Sequence, residues 1–123
     1  MNDFALQRPL PPRRVLLLDD DPFTLELLTA MLAVVGSFEV DAETDAQRAL
    51  ATLAARAPAL LVCDLLLPGM DGIEFLQAAA KLGFDGSVIL LSGADSAVRE
   101  AAAGLARVLG LQVSATFPKP ILL

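Results

Sequence analysis

Five short apolar runs, separated by stretches of helical periodicity, constrain this 123-residue chain more than any other feature. They lie near Val15–Leu18, Phe38–Asp41, Leu60–Cys63, Val88–Leu91 and Val113–Phe117, and each has the length and composition of a strand. Four helices fit between them. Parallel strands can be joined only by long crossovers, and helices supply those crossovers, so the alternation predicts an α/β fold with a parallel sheet covered on both faces.

The helix boundaries are written in capping residues. The first helix is expected over Pro22–Val35, with Asp21 as N-cap, Pro22 in the first helical position, and Phe23, Leu27, Met31 and Val34 on its inward face. Gly36 ends it. The second opens with Thr44 and Gln47 as a capping box, turns Ala46, Leu50, Leu53 and Ala57 inward, and stops at Pro58. In the third, Asp71 and Glu74 form the box, Ile73, Leu76 and Ala80 face the core, and Gly83 suits the C-terminal cap. The fourth runs over roughly Asp95–Leu109 and stops at Gly110. Residues 1–14, polar and proline-rich, read as a loose arm, and residues 15–123 as one domain.

Composition removes several kinds of function. A net charge of −6, with nine scattered basic residues, argues against a sequence-independent grip on nucleic acid or anionic lipid. The single cysteine, Cys63, cannot form an internal disulfide, and no leader or apolar span of about 20 residues is seen, so a cytoplasmic location is expected. In the middle of an apolar strand, Cys63 reads as a small inert hydrophobe. Histidine is absent, which excludes His-ligated metals and His-based acid–base catalysis. The available chemistry belongs to carboxylates, hydroxyls and lysine.

In an open parallel sheet, ligands sit beyond the carboxyl ends of the strands, where strand order reverses. Polar residues gather at those ends here: Asp19 and Asp20 after the first strand, Asp64 after the third, Ser92 after the fourth and Lys119 after the fifth. Carboxylates packed together repel one another and stay ionised only if a cation joins them. A hard, oxygen-preferring ion such as Mg²⁺ meets that need while leaving a position open for a phosphoryl oxygen. A carboxylate beside it can act as nucleophile and form an aspartyl phosphate, the cation and a lysine offsetting the transferred charge. A serine hydroxyl can then donate to a phosphoryl oxygen. Asp21 and Asp71 read as helix caps rather than ligands.

"VLLLDDDP", "LLVCDLLLPGMDG", "VILLSGA" and "FPKPI", in this order, resemble the receiver domain of bacterial two-component response regulators, and the likeness covers nearly the whole chain from Val15. The resemblance implies a flavodoxin-like (CheY-like), doubly wound, five-stranded sheet of order 2-1-3-4-5. It makes Asp64 the phospho-acceptor and Asp19 with Asp20 the acidic pair for Mg²⁺, with Asp64 itself and the carbonyl of Leu66 completing the metal site. Ser92 becomes the switch hydroxyl, Gly93 the small residue beside the phosphoryl group, and Lys119 its cationic contact, followed by a cis peptide to Pro120. The implied partners are a histidine kinase or a histidine phosphotransfer protein, with a fused or separate output domain. The implied role is a signalling switch rather than a metabolic enzyme.

Two other readings stand beside it. A pseudo-receiver would use the same fold only for docking, but its usual sign is a damaged acidic pocket. An aspartyl-phosphate phosphohydrolase would place a second Asp two residues after the nucleophile, where this chain has Leu66. The chain departs from the family at Thr116, where an aromatic residue is usual, Phe117 standing one position later. The longer stretch between Ser92 and Lys119 resembles receivers fused to cyclic-di-GMP phosphodiesterase domains. The family's fifth helix has no counterpart after "PKPILL", so the sheet face it covers is expected to be closed by a following segment of a longer regulator or by a second copy in a homodimer.

Overall fold

The computed structural model describes residues 13–67 and 70–121. Five strands and four helices alternate: β1 (Arg13–Leu18), α1 (Pro22–Val35), β2 (Phe38–Glu43), α2 (Ala46–Arg56), β3 (Leu60–Asp64), α3 (Gly72–Lys81), β4 (Ser87–Ser92), α4 (Ser96–Val108) and β5 (Gln112–Pro118). All pairs are parallel and the order is β2-β1-β3-β4-β5, so the order reverses between β1 and β3. Arg13 and Arg14, expected in the arm, belong to β1 because they pair with Phe38 and Glu39 of β2.

The two faces of the sheet are filled unequally. On one face α2, α3 and α4 bring Ala49, Leu53, Phe75, Ala79, Ala103 and Ala106 onto Leu16, Leu61, Cys63 and Leu90. Small residues predominate on α2 and α4, which lets these helices lie close to the strands. The other face carries α1 alone among the described residues, with Leu25, Leu28 and Leu32 packed on Val15, Leu17 and Val62. Among the described residues, which end at 121, no helix follows β5.

The inward face of α1 differs from the one expected. Phe23 and Val34 are 70% and 88% exposed, while Leu25 and Leu28 meet the sheet. Nearly every position of "PFTLELLTAMLAVV" is apolar, so periodicity could not decide which stripe turns inward. In α2 the cap is Asp45, which accepts from the Arg48 amide, and not Thr44. Ala57, expected inward, is instead the exposed left-handed residue that ends α2. Asp71 caps α3 through the Glu74 amide as expected, and Leu76 is buried with Ile73 and Ala80 packed on the same core as expected, while Phe75 and Ala79 are buried beside them.

Gly72 starts α3 directly under the loop that leaves β3. A Cβ there would stand 2.5 Å from the Leu65 Cα, and the Gly72 amide donates to the Leu65 carbonyl at 3.0 Å. Only glycine lets the helix start this close to the backbone after Asp64.

Candidate phosphoryl and metal site

Strand register brings the polar strand ends to one rim. Leu18 pairs with Cys63, Asp64 with Leu91, and Ser92 with Pro118, so Asp19, Asp64, Ser92 and Lys119 follow one another across the carboxyl edge. Asp19, Asp64 and Ser92 are buried, whereas Asp20 is exposed. One carboxylate oxygen from each of Asp19, Asp20 and Asp64 falls within 4.8 Å of the others. This hard, all-oxygen donor set, open to solvent at Asp20, fits a divalent cation of the Mg²⁺ type.

Lys119 supplies the positive charge. Its Nζ donates to Asp19 Oδ2 at 2.8 Å and to Asp64 Oδ2 at 3.2 Å. The remaining oxygens are held by backbone amides, Asp19 Oδ1 by Asp21 and Asp64 Oδ1 by Leu66. These bonds fix both carboxylates while leaving Asp20 unconstrained by any of them. Burial pushes the Asp19 carboxyl above its ordinary value, against the pull of Lys119 and the Asp21 amide, and the nearby Asp64 charge adds to the rise. At Lys119 burial acts downward, but the hydrogen bonds and charges of Asp19 and Asp64 outweigh it and the ammonium is held more tightly than usual.

Ser92 lies in the rim with its Oγ accepting from the Ala94 amide at 2.9 Å and its carbonyl accepting from the Lys119 amide at 2.8 Å. A Cβ on Gly93 would meet nothing within 4 Å, so Gly93 itself borders open space. The Lys119–Pro120 peptide is cis. Asp21 serves as the cap of α1: its carboxylate accepts from the Thr24 hydroxyl and the Phe23 amide, and these bonds, the Thr24 bond foremost, lower its pKa. Burial pushes the Cys63 thiol up, as do the charges of Asp64 and Asp19, which makes it a poor nucleophile.

Thr116 and Phe117 are on opposite faces. Thr116 Oγ1 lies 3.4 Å from Glu100 Oε1 on α4, whereas Phe117 lines an apolar groove of about 440 Å³ on the α1 face. A bulge in β5 sets this arrangement: Val88 pairs with Val113 but Ile89 with Ala115, leaving Ser114 as the extra residue. Sequence reasoning missed Arg99, which donates to the Ala94 carbonyl at 2.8 Å and so fastens the loop after Ser92. It lies one turn into α4 with no neighbouring motif to mark it.

Residues 15–120 match the response regulator receiver domain family. The chain is 37% identical over 108 residues to the cyclic di-GMP phosphodiesterase RocR of Pseudomonas aeruginosa, covering 86% of this chain and 27% of RocR. It is 34% identical over 94 residues to the response regulator MprA of Mycolicibacterium vanbaalenii, covering 76% of this chain and 40% of that protein. The chain thus spans well under half the length of these relatives. A crystal structure of a response regulator from Colwellia psychrerythraea superposes with a TM-score of 0.78 at 38% identity, covering 90% of this chain and 87% of that one. A CheY-like receiver domain from Methanospirillum hungatei does so with a TM-score of 0.77 at 28% identity, over 91% and 85% of the two chains. With these relatives, this sheet order and this rim of side chains, the chain belongs to the response regulator receiver domain family.

Proposed function

We propose that this receiver is a phosphoacceptor switch in which Asp64 takes a phosphoryl group from the histidine of a kinase or phosphotransfer protein. The convergence of Asp19, Asp20, Asp64 and Lys119 on one edge of the sheet carries the reading. In the transfer, Asp64 Oδ forms the new O–P bond as the P–N bond to the donor imidazole breaks, and the departing ring nitrogen keeps the electron pair. Asp19, Asp20, Asp64 and the Leu66 carbonyl would hold Mg²⁺, which offsets the negative charge on the transferring oxygens. Lys119 is held by Asp64, within reach of the same charge, and Ser92 lies on the same rim, where its hydroxyl would donate to a phosphoryl oxygen.

Thr116 answers to Glu100 instead of supplying an aromatic ring, so the signal leaves Ser92 by a different side-chain route from the family's usual one. The chain acts as a cytoplasmic signalling module with no catalytic turnover beyond its own phosphorylation and dephosphorylation. Among the described residues no helix is long and apolar enough to cross a membrane. The RocR likeness supports a cyclic-di-GMP phosphodiesterase unit as the output class, fused or separate. The apolar face beside α1 is a surface through which two copies could pair.

Incubation with acetyl phosphate and Mg²⁺ is expected to add one phosphoryl group, and Asp64→Asn to abolish it. Undiminished labelling of that variant would remove Asp64 from the role. A folded, Mg²⁺-binding chain that no phosphodonor labels would favour the docking-only reading.

A further inference from the structure

Arg99 is the charged end of an otherwise small-residue stripe. With Ala102, Ala103 and Ala106 it falls on one side of α4 at helical spacing, and those three alanines are buried against the sheet. Arg99 lies in the first turn, so it stands beside the loop that leaves Ser92. Its Nη1 donates to the Ala94 carbonyl at 2.8 Å, while its Nε is buried with no hydrogen-bond partner. Among the described residues no other buried side-chain nitrogen or oxygen is left so. A methionine or leucine would cover the stripe without stranding a donor, so packing does not call for an arginine here.

We propose that Arg99 is a positioning residue for the phosphoryl site, acting through Ala94 on the Ser92 hydroxyl. The inference rests on the phosphoryl reading of the rim and adds to it a residue that touches neither the phosphoryl group nor the cation. Two bonds meet at Ala94: its amide donates to Ser92 Oγ at 2.9 Å, and its carbonyl accepts from Arg99. Serving as an acceptor, Oγ keeps its own proton free for a phosphoryl oxygen. Gly93, between Ser92 and Ala94, has no side chain to hold the loop in place. The guanidinium charge strengthens the bond to the carbonyl, and fixing Ala94 from the helix orders the loop before a phosphoryl group arrives. The unpaired Nε shows that the guanidinium is placed for that carbonyl and not for a network of its own.

Beryllofluoride, a phosphoryl mimic, is titrated calorimetrically into the whole chain in excess Mg²⁺, and the Ala94 amide is followed by NMR in the metal-free chain. Urea melts report that each variant is folded. Arg99→Met and Arg99→Ala, neither of which keeps a donor, are each expected to weaken beryllofluoride binding about fivefold, and Ser92→Ala about tenfold. Adding either Arg99 change to Ser92→Ala is expected to alter the affinity by less than about twofold, because Arg99 acts through the hydroxyl. In the metal-free Arg99 variants the Ala94 amide is expected to shift and to exchange faster with solvent. Arg107→Met is the control: Arg107 donates to the Val113 carbonyl at 3.2 Å from the far end of the same helix, and its loss should leave beryllofluoride affinity and the Ala94 amide unchanged. A parent chain that binds no beryllofluoride overturns the phosphoryl reading and this inference together. Equal losses from the Arg99 change with and without the Ser92 hydroxyl, or an unmoved Ala94 amide, overturn the inference alone.

Discussion

Lys119 Nζ reaches Asp19 Oδ2 at 2.8 Å and Asp64 Oδ2 at 3.2 Å, tying the last strand of the sheet to its two central ones through one ammonium. Both carboxylates are almost fully buried, and the lysine side chain is 21% exposed. Removing it leaves two neighbouring buried charges without a counter-ion. In chelator, Lys119→Met is expected to lose on the order of 2 kcal/mol, below the range for a fully buried pair because solvent reaches the ammonium. Urea melts with and without Mg²⁺ check this, and a saturating cation should return part of the loss.

The raised pKa of Asp19 gives the metal-free chain an acid-side signature. The folded state holds the Asp19 proton more tightly than the unfolded state, whose value is near 3.8. This contribution is present below that pH and is lost as pH rises from 3.8 through the raised folded value. Lys119 has a raised value too, so its contribution is present below its unfolded value of 10.5 and is lost only as pH rises through the higher folded one. Urea melts in chelator across the acid range should show the Asp19 decline, and Asp19→Asn should lack it.

Asp21 has a separable role. Its carboxylate accepts from the Phe23 amide and the Thr24 hydroxyl at the start of α1 and takes no bond from Lys119. Asp21→Ala is expected to lower stability through loss of the cap while changing Mg²⁺ affinity by less than about threefold. Its lowered pKa means the cap's contribution is present above the unfolded value of 3.8 and is lost as pH falls through the folded one. A loss of Mg²⁺ binding as large as that of an Asp19 variant would show that all three aspartates serve the cation.

The acidic rim was legible in the sequence because each of its residues directly follows an apolar run, and in a parallel sheet that position fixes the edge on which a side chain emerges. The face of α1 was not legible, since Phe23, Leu27, Met31 and Val34 compete with Leu25, Leu28 and Leu32 on equal hydrophobic terms. Nor were the sides taken by Thr116 and Phe117. Simple alternation from the buried Val113 would put Phe117 on the α4 face, and the bulge at Ser114 reverses it. Arg99 acts on a backbone carbonyl five residues away, a contact set by the path of the loop, which no residue pattern encodes.

Asp20 is the one exposed member of the carboxylate cluster, and none of the hydrogen bonds that order Asp19 and Asp64 involves its side chain. The proposed cation site can therefore be tested at Asp20 without disturbing the packing. Asp20→Ala is expected to weaken Mg²⁺ binding at least tenfold, about 1.4 kcal/mol, while metal-free stability stays within about 0.5 kcal/mol or rises as carboxylate repulsion is relieved. Calorimetric titration and a melt in chelator measure the two halves independently. Parental Mg²⁺ affinity in this variant would end the acidic-pair assignment.

Gly72 connects packing to the site through the backbone alone. Its missing side chain lets α3 begin against Leu65, the residue after Asp64, and a Cβ would come within 2.5 Å of the Leu65 Cα and 2.6 Å of its carbonyl oxygen. Backbone cannot yield as a flexible side chain can, so Gly72→Ala must move either the start of α3 or the Asp64–Leu66 turn. The first costs stability, about 1–3 kcal/mol for an overpacked contact. The second disturbs the Leu66 amide that holds Asp64 Oδ1 at 3.1 Å, and with it the geometry of the Asp64 carboxylate. Both effects should appear together, as a lowered urea midpoint and slower labelling of Asp64 by acetyl phosphate. Gly83→Ala serves as the comparison: it strains a residue at φ +76° at the end of α3, with open space around it and no contact with the site. It should lose about 1 kcal/mol while the labelling rate is unchanged. Equal labelling rates for Gly72→Ala and the parent would show that the turn carrying Asp64 is set independently of the helix beneath it.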